Sequence, residues 1–256
     1  MSRFKRRTFA GAVLEQEVYT VSDNVREPEQ ADKRIRFHTE EERAEHRLHI
    51  SRTRHARLFN ENFSPTSFYS TLTFDMENEC HDIWEAKKLR DLYFRRLRYA
   101  FPLAVIFIYI GRGKHTNRFH LHMVSDGIPK EAIAEKWKYG HVKRVDRLRA
   151  NNFYDGKDYG QDYTGLANYL FDHWTPEIGG HRWKQTRNAK APLREKMVEV
   201  VREYSIIRPP MAPPGYRLVE ARGTRYGYLY FKYVREEENK QDAACKTKNG
   251  KHRMRN

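Results

Sequence analysis

Residues 103–124, LAVIFIYIGRGKHTNRFHLHMV, leave this chain few folds to choose from. The run from Leu103 to Ile110 is apolar without a break and of strand length, which suits a strand in the middle of a sheet and is far too short to cross a bilayer. A basic, Gly-containing turn follows, then RFHLHMV, so the two segments read as an antiparallel hairpin. Alternate residues of a strand share a face. His120 and His122 therefore project side by side, while Phe119, Leu121 and Met123 turn the other way into a core. Two imidazoles at this spacing can grip one metal ion from a rigid strand. A strand with two half-exposed histidines is the plainer alternative, and the pair alone does not choose between them.

Charge narrows the choice. The 256 residues carry 49 Lys and Arg against 34 Asp and Glu, a net charge of +15, which points to a polyanionic partner, with nucleic acid ahead of a membrane surface. Only two cysteines occur, Cys80 and Cys245, too few for a disulfide framework or a Cys-rich zinc site. With no apolar stretch resembling a signal peptide near the start, the expectation is a soluble, cytoplasmic protein.

Along the chain, four parts are expected. Residues 1–65 form a basic N-terminal arm and helix, with 1–38 irregular. Thr39 and Glu42 make a capping box for a helix to about Leu58 whose Arg and His residues either lie on DNA or are simply solvated. Residues 66–205 form the core. FYSTLTFD is a strand with Tyr69, Thr71 and Thr73 on one face, residues 81–99 are helical, and Pro129 opens a short helix to Trp137. GHVKRV is a short strand, and the loop NNFYDGKDYGQDY leads into the helix GLANYLFDHW. A further helix spans about 192–204. Residues 206–235 form a C-terminal β-hairpin packed on the core, and 236–256 a disordered basic tail. The order of elements gives an α+β class: a central antiparallel β-sheet with helices on one face.

A metal held by two neutral imidazoles keeps most of its shell open for water and phosphate oxygens, and can polarise a phosphodiester as a Lewis acid. There is no Gly-rich phosphate loop, since GRGK lacks the required glycine spacing. Tyrosine, with 16 residues, is the available nucleophile for a covalent phosphodiester. Tyr169 is best placed, because Asp172 and His173 follow at the helical i+3 and i+4 positions. Tyr154, Tyr159 and Tyr163 are its rivals. DNA contact is expected from Arg112, Lys114 and Arg118 at the hairpin turn, and from Arg182, Trp183, Lys184 and Arg187 beyond the tyrosine helix. Trp183 suits stacking on an unpaired base, or alternatively anchoring the core.

TLTF, then His-hydrophobe-His, then a tyrosine helix about fifty residues later resembles the HUH endonucleases, in particular the rolling-circle replication initiators of plasmids, phages and integrative elements. The likeness covers roughly residues 66 to 192 and includes the basic stretch HRWKQTRNAKAP. It implies an HUH/RRM-like central sheet, with motif I at Thr71 and Thr73. It also implies Mg²⁺ or Mn²⁺ on His120 and His122, and Tyr169 as the nucleophile that nicks one strand and keeps its 5′ phosphate. The substrate would be single-stranded or hairpin origin DNA. With no motor motif in the chain, a host helicase and polymerase would do the rest.

Two departures stand out. Where relatives carry a third metal-binding carboxylate on the strand before the histidines, this chain has a place near Tyr109. Asp172, Asp75, Glu77 or His115 are the substitutes, with Asp172 preferred because the tyrosine helix should face the metal. Relatives also often show Tyr-x-x-Lys, and here Asp172 holds the lysine position. A non-catalytic nucleic-acid-binding module on the same fold is the alternative reading. Within the same chemistry, a relaxase or a transposase is another.

Overall fold

The computed structural model describes residues 2–21, 39–113, 116–173, 183–224 and 227–236. In chain order the elements are β1 (Ser2–Ala10), β2 (Val13–Val21), α1 (Glu40–Asn62), β3 (Phe68–Phe74), α2 (Ile83–Ala100), β4 (Val105–Arg112), β5 (Phe119–Asp126), α3 (Lys130–Lys136) and β6 (Gly140–Arg147). There follow β7 (Phe153–Tyr154), β8 (Lys157–Asp158), α4 (Thr164–Asp172), β9 (Trp183–Gln185), β10 (Leu193–Arg194), β11 (Val198–Glu199), β12 (Tyr216–Gly223) and β13 (Leu229–Arg235). The class is α+β, with antiparallel sheets and packed helices. Among the described residues no helix is long and apolar enough to cross a membrane.

The central sheet has five strands in the order β6-β3-β5-β4-β9. β4 and β5 form the hairpin expected of residues 103–124, in a register that sets Tyr109 opposite His122 and Gly111 opposite His120. Leu72, Ile106, Ile108, Leu121 and Met123 are fully buried on one face, against α2 and α3. Removing a side chain such as Leu121 from water contributes roughly 1.5–3 kcal/mol. Phe107, Tyr109 and Val124 fill the other face, against α1 and α4. The helices thus cover both faces, where the order of elements suggested one. The unbroken apolar run of β4 has this cause, because a strand buried on both faces has no polar side to alternate.

Helix ends follow local chemistry. The Thr39 hydroxyl accepts from the Glu42 N–H to start α1, and Asp82 accepts from the Trp84 and Glu85 N–H groups to start α2.

Two expectations are corrected. Residues 2–21 are no irregular arm: β1 and β2 pair along their whole length, and β2 pairs with β13 in one sheet, while residues 22–38 of the expected arm lie outside the described residues. Its other face buries Leu14 and Val18, but the positions turned to α1 are charged rather than apolar, which hides the strand pattern. Arg57 of α1 reaches Glu15 at 2.6 Å and Glu17 at 3.4 Å, and Arg6 lies 3.7 Å from Glu17. The hairpin turn also presses on α1. Gly11 has φ +59°, and a Cβ there would meet the Asn60 carbonyl at 2.1 Å, so only glycine fits. The helix expected over 192–204 is absent. β10 and β11 pair instead with the edge of β1, and Leu193, Val198 and Val201 are exposed, so a helix here had no apolar face to bury. The expected tail, residues 236–256, lies outside the described residues except for Glu236.

The second sheet is fastened to the start of α4 by a buried ion pair. Lys232 Nζ donates to Asp162 Oδ2 at 2.9 Å, and Asn60 donates to Asp162 and Thr164.

Candidate metal centre

β5 presents His120 and His122 on the face that α1 and α4 cover. β3 runs beside it, pairing Thr71 with His122 and Thr73 with His120. The C-terminal end of α4 brings in a third ring: the His173 N–H bonds to the Tyr169 carbonyl, so these two residues sit one turn apart on one face, their rings 5.0 Å apart. The Nε2 atom of His120 lies 3.0 Å from that of His122 and 3.2 Å from that of His173. Ligand atoms of the three residues all fall within 4.8 Å of one another. Tetrahedral metal–imidazole bonds of ~2.0–2.1 Å put two nitrogens ~3.3 Å apart. Both measured separations are close to that value, so the three imidazoles could hold one cation.

Electrostatics keep the donors ready. Burial, then the neighbouring His120 and His173, push the His122 pKa down to about 3. Burial and His173 lower that of His120, against a backbone hydrogen bond at Arg118 that favours its charged form. Both rings are neutral near pH 7, as metal binding requires. On the far side of His122, Nδ1 lies 2.8 Å from the Tyr69 hydroxyl and 3.3 Å from that of Thr71. Because Nε2 turns to the other two rings, the ring proton is assigned to Nδ1, which donates to the Tyr69 oxygen. The Tyr69 ring stacks on His122 at 5.7 Å, and this pairing fixes both tautomer and ring plane.

Gly111 makes the room. A Cβ at this position would lie 2.5 Å from His173 Cδ2 and 2.6 Å from His120 Nε2. The neighbouring inward position, Tyr109, is fully buried, and its hydroxyl lies 2.8 Å from Nε2 of the buried His55. β4 therefore offers no donor, and the imidazole of His173, at the end of α4, stands in the gap that Gly111 leaves.

The expected third ligand, Asp172, is elsewhere. Its Oδ1 accepts from Arg52 of α1 at 2.5 Å, and one helical step of about 100° turns it from the rings that His173 faces. Asp75 accepts from Asn78 in the loop after β3, and Glu77 belongs to the same loop. His115 lies outside the described residues. Tyr169 is 49% exposed, its ring 6.0 Å from that of His122, so its hydroxyl is open to a ligand at the centre. Tyr163, a rival, is buried and donates to the Arg149 carbonyl, and Tyr159 packs beneath the second sheet. Tyr154 is exposed on the β7–β8 hairpin.

Of the expected DNA contacts, Arg112 donates to the Asn117 carbonyl and covers Phe119, and Arg118 pairs with Glu79 at 2.7 Å. Lys184 pairs with Asp91 at 2.9 Å on the α2 face, away from the histidines. Trp183 is a packing residue, 4.5 Å from the His55 ring, its indole N–H bonded to Gln185. Arg187 is exposed, and Lys114 and Arg182 lie outside the described residues. Thr71 bonds to His122 Nδ1, whereas Thr73 donates to the His141 carbonyl.

The residues that sequence reasoning missed had signals. His173 shares the i,i+4 spacing with Tyr169. Gly111 shares the alternation of β4 with Tyr109, and Tyr69 that of β3 with Thr71. No family model, no curated protein and no solved structure matches this chain.

Proposed function

We propose that this chain is a rolling-circle replication initiator of the HUH type, a metal-dependent endonuclease and strand transferase acting on single-stranded DNA. The observation that carries the reading is the convergence of three imidazole Nε2 atoms beside the half-exposed phenol of Tyr169. A cation on His120, His122 and His173 supplies polarisation of the scissile phosphate. Tyr169 Oη attacks phosphorus, its proton passing to solvent. The P–O3′ bond breaks, the 3′ oxygen takes a proton, and the 5′ phosphate stays on the tyrosine. Attack by a 3′ hydroxyl on that ester reverses the sequence and rejoins a strand without nucleotide triphosphate.

Arg52, through Asp172, ties α4 to α1 and positions the nucleophile. The exposed edge strand β6 offers Lys143 and Arg144 for phosphate contact, and Lys143 is close enough to His120 to disfavour its protonation. Of the two expected cations, Mn²⁺ suits an all-imidazole donor set better than Mg²⁺, which prefers oxygen.

The test is incubation with a labelled single-stranded oligonucleotide library and Mn²⁺. Wild type should give a protein–DNA adduct that survives a denaturing gel, and Tyr169→Phe, His122→Ala and His173→Ala should give none. An adduct persisting in Tyr169→Phe removes this tyrosine from the role. Tight, salt-sensitive binding with no adduct from a library that includes the chain's own origin assigns it to the non-catalytic binding class.

A further inference from the structure

On the side of α1 turned away from α4, a groove of about 680 Å³ opens between this helix and the β1–β2 hairpin. His46, His49, Thr53, Arg54 and Arg57 recur at helical spacing along one wall. Arg6 and Thr8 of β1 face them with Glu17 and Tyr19 of β2, and Arg194 closes one end.

Four guanidinium groups and one carboxylate line this space, and Arg57 is also held 2.6 Å from Glu15 just behind it, so the balance with that carboxylate is +2 and rests on Arg54 and Arg194. The carboxylate is engaged from inside, since Glu17 lies 3.4 Å from Arg57 and 3.7 Å from Arg6. Arg54 and Arg194 are exposed and form no ion pair among the described residues.

We propose that this groove binds the sugar-phosphate chain of single-stranded DNA, as a second contact zone for the strand cut at the metal centre. The inference rests on the nickase reading for the identity of the strand. Phosphate oxygens suit the guanidinium forks of Arg54 and Arg194. Arg52 of the same helix reaches α4, which carries His173, so α1 stands between the groove and the metal centre. A helix ~10–12 Å across separates them, a span of a few nucleotides.

The test is fluorescence anisotropy of a labelled single strand against salt concentration, with EDTA so that binding is read without cleavage. Arg54→Gln/Arg194→Gln removes two exposed charges and should melt as wild type does. Single-strand affinity scales with salt by about 0.7 log unit per phosphate contact, so the slope should become shallower by about 1.4 and affinity at 0.1 M salt fall roughly 25-fold. Arg54→Lys/Arg194→Lys should restore most of the slope. A double glutamine variant with wild-type slope and affinity overturns the groove. So does a duplex or an acidic peptide that displaces the label better than unlabelled single strand. Adduct formation by wild type keeps the two readings separable. An adduct together with unchanged binding by the variant sinks the groove alone, and no adduct together with a lost slope sinks the nickase alone.

Discussion

If Gly111 is replaced by alanine, the new methyl group arrives 2.5 Å from His173 Cδ2 and 2.6 Å from His120 Nε2. Ordinary contact begins near 3.4 Å, so the two rings must retreat by about 0.9 and 0.8 Å. Metal–ligand bonds tolerate displacements of only ~0.2 Å. Two of the three donors are therefore pushed out of range together. Loss of a residue that merely orients a ligand weakens metal binding ~10–100-fold, so the loss here should reach at least the upper end of that range.

The assay is calorimetric titration with Mn²⁺, and with Zn²⁺ as a tighter probe. Stability gives the control. Alanine suits a strand better than glycine by roughly 0.5–1 kcal/mol, so the metal-free variant should melt near the wild-type temperature. A second control isolates the clash. In a His173→Ala background, position 111 has space, and Gly111→Ala should have a much smaller further effect, a coupling that a double-mutant cycle reads directly. Metal affinity unchanged in the single variant would refute the assignment of His173 as a ligand held in the space above Gly111.

Tyr69→Phe removes the acceptor at His122 Nδ1 and should weaken metal binding ~10–100-fold in the same titration, while Thr71 retains part of the contact. Asp172→Ala should leave metal affinity unchanged, and because the pair with Arg52 is half exposed it should cost only ~0–1 kcal/mol in urea denaturation. Lys232→Ala leaves Asp162 buried without its cation, and should lower the free energy of unfolding by about 3–5 kcal/mol. Stability of the metal-free protein should also fall with acid. Burial lowers the pKa values of His55 and His122 from 6.5 to about 3, so the unfolded chain takes up protons that the folded one refuses. Their contribution is complete above pH 6.5 and is lost as pH falls toward 3, by at most ~1.4 kcal/mol per pH unit for each histidine. A urea midpoint that stays flat from neutral pH to about 5 would contradict this.

What the sequence disclosed and what it concealed divide along one physical line. The β4–β5 hairpin and α4 were legible because their signals are local: alternation, a basic glycine turn, and a 3.6-residue period. The N-terminal hairpin was not, because the residues it turns to α1, Arg6, Glu15 and Glu17, are neutralised by each other and by Arg57, some forty residues away. Segments 193–194 and 198–199 have a helical pattern of apolar residues but no face for them to cover, and the open edge of β1 decides their conformation.

The third ligand is the same problem at finer scale. Asp172 and His173 both follow Tyr169 at helical spacing, and neither is favoured by that spacing. Arg52 chooses between them, drawing the carboxylate to α1 and leaving the imidazole to the centre. Yet the strand alternation that placed His120 and His122 on one face also placed positions 109 and 111 of β4 on it. A buried tyrosine at the first and a glycine at the second mean that β4 cannot supply a ligand and must leave space for one. The lack of a carboxylate near Tyr109 is thus matched by a third imidazole from another element. Gly111 is the mark, within β4 itself, of a donor arriving from another element.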